Sequence, residues 1–422
     1  MDRAIAYSAL IMTVGLAVLR PRFTATIRFT PGVAALCGVV MLLVARLLTP
    51  HIMWQAAAIQ WRPLVTLSSI MVLTGVVHEV GAFDRLAAHI EALARTRSAA
   101  TTFSLVFAVS VVTPSLLNND AAILILTPLV VALTRRLYPN RPDVTLAFAF
   151  AVFLAPGVAP FIVSNPMNMI VAQYAGLKFN SYAAVMVPLS VAGAALTYVV
   201  LRAIYRKTLA TAVAVTTSSL THIHRHPGER PAVLLMLAVF FAYPIAAALG
   251  IDIWVVAVGG ALTSLVICRT YRIASLRKAT AHVSIDILLF MWGIFLVVQS
   301  LRSVGIIDQL RELYATGTDG TQLATIGVTS AVGSALIDNH PMALLNMLAI
   351  DASHGPRALL AALVGGDIGP RLLPIGSLAG LLWIDLLRRA GVQVGVMRFI
   401  RVGTLVVLPT LAASLVLLWL IG

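Results

Sequence analysis

The chain has 422 residues, of which 60% are hydrophobic and only 11% charged. Soluble globular domains carry about 45–50% apolar and about 25% charged residues, so a soluble enzyme, a nucleic-acid-binding domain and a disordered scaffold are excluded. The net charge of +14 sits largely in Arg and Lys clusters between apolar segments, where cytoplasmic anchoring of a membrane protein places it, and implies no nucleic-acid partner.

In chain order, apolar runs near the length of a bilayer crossing predict spanning helices near 4–19, 31–48, 64–80, 144–174, 182–201, 231–249, 251–267, 284–301, 358–387 and 399–421. The first run lacks the small-residue cleavage pattern of a secretory signal and is read as a span. Segment 82–97 sets Arg and Glu against Leu, Ile and Ala, which predicts an amphipathic helix on the cytoplasmic surface. Two further regions, 100–134 and 321–350, are too long for one span. Each breaks at mid-length on residues that cannot face lipid: Asn118-Asn119-Asp120 in the first, Asp338-Asn339-His340 followed by Pro341 in the second.

Positive charge sets the sidedness. The clusters around Arg20, Arg95, Arg135, Arg206, Arg272 and Arg388 can all be cytoplasmic only if 100–134 enters and leaves on the cytoplasmic side. By the same count, 321–350 enters and leaves on the outer side. The expectation is an all-α polytopic membrane protein of ten transmembrane helices plus two re-entrant hairpins, with both termini outside. Residues 1–201 form a first repeat with hairpin 100–134 and broken helix 144–174. Residues 202–230 are a cytoplasmic linker, whose His222, His224 and His226 are read as ordinary loop histidines. Residues 231–422 form a second repeat, inverted relative to the first, with hairpin 321–350 and broken helix 358–387. Inverted repeats with discontinuous helices meeting at the midplane are a common plan of secondary transporters.

The polar residues in this frame are few. A carboxylate and two carboxamides in an apolar run are costly unless partnered or wetted. Asn118, Asn119 and Asp120 also open a half-helix whose free N–H groups and positive dipole end suit an oxygen-rich ligand. Asp120 is read both as a helix cap and as a functional group, and the two are compatible. The second tip aligns Asn339 with Asn119 and His340 with Asp120. His340 is either a neutral, hydrogen-bonded imidazole or a proton carrier. The broken spans read Ala155-Pro156-Gly157 to Asn168 and Gly365-Gly366-Asp367 to Ser377. Pro and Gly at this density unwind a helix, and unwound backbone at membrane depth lines a cavity or is buried in protein. This turns Ser164, Asn165, Asn168, Gly376 and Ser377 toward a substrate. Asp367 and Arg371, four apart, either pair with each other or leave Asp367 free for coupling. Asp252, Asp286, His78, Glu79 and His282 fall near span ends and are read as interfacial. The sequence has no phosphate-binding loop, nucleophile elbow or Cys/His metal constellation, so neither an enzyme nor a cofactor is expected.

At these residues the sequence resembles the arsenite/antimonite efflux permeases of the ion transporter superfamily, over nearly its whole length. The stretches that carry the likeness are Leu117 to Pro128, Val163-Ser-Asn-Pro-Met-Asn-Met169 with Tyr182 to Pro188, and Gly366-Asp-Ile-Gly-Pro-Arg to Trp383. His340 departs from the pattern, since an apolar residue is expected there. The resemblance implies a multi-pass protein of a bacterial inner membrane that exports trivalent arsenic or antimony hydroxide from the cytoplasm by proton antiport. Asn118, Asn119, Ser164, Asn165, Asn168, Asn339, Gly376 and Ser377 would hold the substrate. Asp120, Asp367 and His340 would carry the coupling proton, and no resident metal is required. It also implies an elevator-like movement, a homodimer and an optional cytoplasmic ATPase partner. A sodium/proton antiporter and an anion or carboxylate transporter of the same superfamily are the alternatives.

Overall fold

The computed structural model describes residues 2–19, 21, 29–215, 226–350 and 354–421. His222 and His224 of the linker, and Arg20, Arg22 and Arg28 of the first basic cluster, lie outside the described residues. Every regular element among the described residues is helical. The first half runs α1 (Asp2–Leu19), α2 (Pro31–Val44), α3 (Pro50–Glu79), α4 (Ala82–Ala94), α5 (Ala99–Leu116), α6 (Asn119–Leu137), α7 (Pro142–Leu154), α8 (Pro166–Ala175) and α9 (Phe179–Ile204). After the short α10 (Arg206–Ala210), the second half runs α11 (Glu229–Ala248), α12 (Ile253–Thr270), α13 (Leu276–Thr280), α14 (Ile285–Ser300), α15 (Ile306–Tyr314), α16 (Asp319–Ile337), α17 (Asn339–Ala349), α18 (Gly355–Ile368), α19 (Leu378–Arg389) and α20 (Val396–Ile421).

Packing partners recur between the halves: α2 against α14 is matched by α12 against α3, and α6 against α19 by α17 against α8. Eight helices among the described residues are long and apolar enough to cross a membrane. They include α5 and α16, the first arms of the two expected hairpins, so length alone does not separate spans from hairpin arms. Two span boundaries differ from expectation. The second span ends early, since α2 has only 14 residues. The third begins at Pro50 instead of 64, because Thr49 caps it, its hydroxyl accepting from Ile52 N at 3.3 Å, and Pro63 sits inside the helix without ending it. Membrane helices tolerate such prolines.

Several basic ends meet on one face. Arg85 pairs with Glu229 at 2.8 Å, Arg136 with Glu91 at 3.4 Å, Arg141 donates to Thr211 O at 3.1 Å, and Arg135 donates to Ala390 O. This ties the ends of α4, α6, α10, α11 and α19 together. The amphipathic segment forms α4, which buries Phe83, Ile90 and Ala94.

The interior divides into two large apolar cores. One gathers α1–α3, α8, α14 and α16–α18; the other gathers α5, α6, α7 and the Trp383 and Phe399 ends of α19 and α20. Each broken helix leaves one core at its break and enters the other: α7 and α8 do so in the first half, α18 and α19 in the second. Trp383 anchors α19 to α7, donating to Ala149 O at 3.1 Å and stacking on Phe153 with ring centroids 4.8 Å apart. The contact of α16 with α18 is backbone to backbone. A Cβ on Gly365 would strike Gly327 O, and one on Gly369 would strike Ala331 O. Ser330 Oγ also donates across this seam to Ala362 O at 2.6 Å.

Candidate functional site

The two breaks and the two hairpin turns converge where the cores meet. Each turn is built by a cap. Asn118 caps α6, its Oδ1 accepting from Ala121 N at 2.9 Å. Asp338 caps α17, its Oδ1 accepting from His340 N at 3.0 Å. Caps of this kind are worth about 1 kcal/mol. They also fix the register: Asn119 and Asn339 are the first residues of their helices, with Asp120 and His340 next. Asp120 is therefore not the cap; the residue two before it takes that role. Asp338 holds φ +77° with ψ 150°, a region that residues with a Cβ rarely occupy.

A cavity of about 30 Å³ is lined by Asn119, Asp120, Asn165, Asn339, His340, Asp367 and Ser377, with Phe153, Pro156, Pro370 and Arg371 among the rest of its wall. Seven of the residues expected from the sequence thus share one space. It has room for about two waters. Asp120 also lines a second cavity of about 640 Å³, so it stands between the two. This vestibule extends past Leu381 and Leu382 to Asp385, Arg388 and Arg389, toward the face where the basic ends meet. At the opposite ends of the helices, a separate cavity of about 360 Å³ lies between α3, α8 and α12, where Arg62 pairs with Asp252 at 3.3 Å.

Asp367 does not pair with the Arg371 side chain among the described residues. Its carboxylate turns to the other broken helix and accepts from Ala159 N at 2.8 Å, Asn165 Nδ2 at 2.8 Å and Asn168 Nδ2 at 3.3 Å. Arg371 instead donates to two carbonyls freed by the breaks, Pro156 O at 2.6 Å and Asp367 O. The reason is supply: an unwound segment leaves N–H and C=O groups without helical partners, and two charged side chains satisfy them. Two side chains of the second half therefore hold the first half's break together.

Four expected residues do not line the small cavity. Asn118 caps. Ser164 donates to Ser115 O at 3.3 Å, tying the first break to the first turn. Asn168 reaches Asp367 and donates to Tyr182 Oη at 2.7 Å, and Tyr182 in turn donates to Ala159 O at 2.9 Å. Gly376 is a packing residue, since a Cβ there would come within 2.7 Å of Pro370 backbone. Asn165 and Ser377 cap α8 and α19, accepting from Met167 N at 3.2 Å and Gly380 N at 3.0 Å. Tyr182 and Asp338 join the site unexpected from the sequence. Tyr182 lies one helix beyond the break it braces, and only its place in a resembling stretch pointed to it.

Asp338 does more than cap. The same Oδ1 lies 3.1 Å from His340 Nδ1, which places a proton on Nδ1; Nε2 then accepts in the neutral ring and donates in the charged one. His340 Nε2, Asn339 Oδ1 and Asp338 Oδ2 are buried with no hydrogen-bond partner among the described residues. Buried polar atoms are rarely left so. The second turn thus offers unfilled acceptors beside the cavity, a match for a ligand that carries O–H groups. The edge of the His340 ring meets Phe290 at 5.8 Å between centroids.

The chain is similar to known proteins over nearly its whole length. The family model described as arsenical pump membrane protein matches residues 5–421. The arsenical pump membrane protein of Escherichia coli strain K12 is 29% identical over 399 residues, covering 91% of this chain and 92% of that one. That of Yersinia enterocolitica is 29% identical over 376 residues, covering 85% and 86%. An uncharacterized transporter of Mycobacterium tuberculosis is 28% identical over 421 residues, covering 93% and 94%. Among solved structures, the Alcanivorax borkumensis YdaH transporter superposes with a TM-score of 0.62 at 16% identity, over 99% of this chain and 97% of that one, which shows a shared fold.

Proposed function

The chain belongs to the arsenical pump membrane protein family, and from that membership we propose that it exports trivalent arsenic or antimony hydroxide from the cytoplasm by proton antiport. The observation that carries this reading is the convergence of Asn119, Asn165, Asn339, Ser377, Asp120 and His340 on one small cavity between two capped helix N-termini. The hydroxide is a neutral molecule with three O–H groups. Carboxamides donate to and accept from it, and the unfilled acceptors of the second turn accept hydrogen bonds from its O–H groups. No cysteine thiolate takes part, and hydrogen bonds alone keep binding weak enough for release.

Asp120 is the coupling group in this proposal, because it belongs to both the small cavity and the vestibule. Protonated, it loses its charge and passes more readily through the low-dielectric interior; exposed to the vestibule, it releases the proton. His340 is a second acceptor, and Asp367 serves mainly as the tie between the breaks. With a neutral cargo, proton antiport is electrogenic. The topology proposed is ten spans and two re-entrant hairpins in inverted repeats, in a bacterial inner membrane. The vestibule on the basic face is then the inward-open side, and an elevator-like shift would close it. A homodimer and a cytoplasmic ATPase partner remain part of the proposal from family resemblance.

The test is arsenite uptake into inside-out vesicles under imposed proton gradients. Gradient-dependent accumulation by wild type and its loss in Asp120→Asn are expected. Accumulation that ignores the gradient overturns proton coupling. Sodium-dependent proton flux without arsenite transport would replace the reading with sodium/proton exchange.

A further inference from the structure

Away from the cavity, the end of α3 and the turn between α13 and α14 bring together His78, Glu79 and His282. Their ligand atoms all lie within 4.8 Å of one another. His282 Nε2 is 3.0 Å from Glu79 Oε1, and His78 Nδ1 is 3.9 Å from the same oxygen. The two rings lie 5.0 Å apart. One imidazole is enough to satisfy that carboxylate oxygen. The second stands beyond hydrogen-bond reach, yet turned to the same point. Three donor atoms around a common centre is the disposition a tetrahedral cation needs. With metal–ligand bonds of about 2.0–2.2 Å, neighbouring donors sit about 3.3 Å apart, between the two distances to Glu79.

The backbone is built for this approach. Gly75, one turn before Glu79, faces the incoming turn, and a Cβ there would lie 2.7 Å from Ala279 O and 2.9 Å from His282 Cβ. Glycine therefore admits the segment that carries His282. All three side chains are partly exposed, so an ion has access without crossing the apolar cores. They stand near the ends of α4 and α11 that carry the basic face.

We infer that His78, Glu79 and His282 form a three-ligand site for a divalent transition metal of the zinc class, with the fourth position open to water. Two imidazoles and one carboxylate favour zinc, cobalt or nickel over magnesium or calcium, which prefer oxygen. The bound ion clamps the end of α3 to the α13–α14 turn. The site is independent of the cargo cavity and of any arsenite transport.

The experiment is a cobalt titration of the full-length, tag-free protein in detergent, read by visible absorption. A saturable band at one cobalt per chain, of four-coordinate intensity and abolished by zinc, is expected. His78→Ala should weaken binding at least tenfold without lowering the melting temperature of the metal-free protein, since His78 makes no hydrogen bond to Glu79. Glu79→Gln should weaken it similarly, and zinc should raise the melting temperature of wild type alone. Absence of a saturable band, or equal binding by wild type and His78→Ala, overturns the site.

Discussion

At residues 117–120 the chain enters α6 with a carboxamide in the capping position and a carboxylate two residues later. At 337–340 it enters α17 with the carboxylate in the capping position and an imidazole two residues later. The backbone task is the same, and the charge is placed differently. In the first turn Asn118 serves the helix and Asp120 remains at the boundary of two cavities. In the second, Asp338 is committed to the helix and to His340 at once. The lesson is that a buried acidic residue near a helix start is not by itself the mobile one. The free carboxylate is the one whose capping duty another residue has taken.

That contrast can be broken at four places, in falling order of expected effect. Asp120→Asn should reduce proton-driven arsenite accumulation in inside-out vesicles to background while leaving the melting temperature nearly unchanged, because Asp120 makes no structural hydrogen bond among the described residues. Wild-type accumulation by this variant would reverse the comparison. Asp367→Asn should lose transport as well, but with a marked drop in thermal stability. An amide there confronts three donors with a donor of its own, a loss of about 2–4 kcal/mol. Stability separates the two variants where transport does not. Asp338→Asn retains a capping oxygen, but gives up the charge-assisted bond to His340, worth about 1.5–3 kcal/mol. Transport by this variant should fall several-fold, and His340→Leu should fall equally, with no further loss in the double variant. Additive losses would mean the two act separately. Asn118→Ala should cost about 1 kcal/mol and appear as a small decrease in melting temperature, with transport retained.

Much of this was legible in the sequence because membrane depth makes polar residues and helix breakers expensive. The turns at 118 and 338 and the breaks after 154 and 368 all announce themselves by Asn, Asp, Pro and Gly in apolar surroundings. The same rule explains the misplaced start of α3. A proline inside a membrane helix is held by its neighbours, as Pro63 is within α3, and Pro114 and Pro128 likewise sit within α5 and α6. Partner choice was not legible. The four-residue spacing of Asp367 and Arg371 suggests an ion pair on one helix, but the helix ends between them and each side chain bonds to the opposite half. Asn168 shares the motif of Asn165 and lies one turn further along α8, so it reaches Tyr182 instead of the cavity. The cluster of His78, Glu79 and His282 spans two hundred residues of chain and carries no spacing that a linear reading detects.

The methyl-free seam between α16 and α18 has a mechanical consequence. Where two main chains touch at Gly365 and Gly369, a slide or roll brings them against carbonyl oxygens. The first arm of the second turn and the first half of the second broken helix are thus joined as one rigid lever. If the proposed shift occurs, its give must lie elsewhere, at joints lined with side chains that yield.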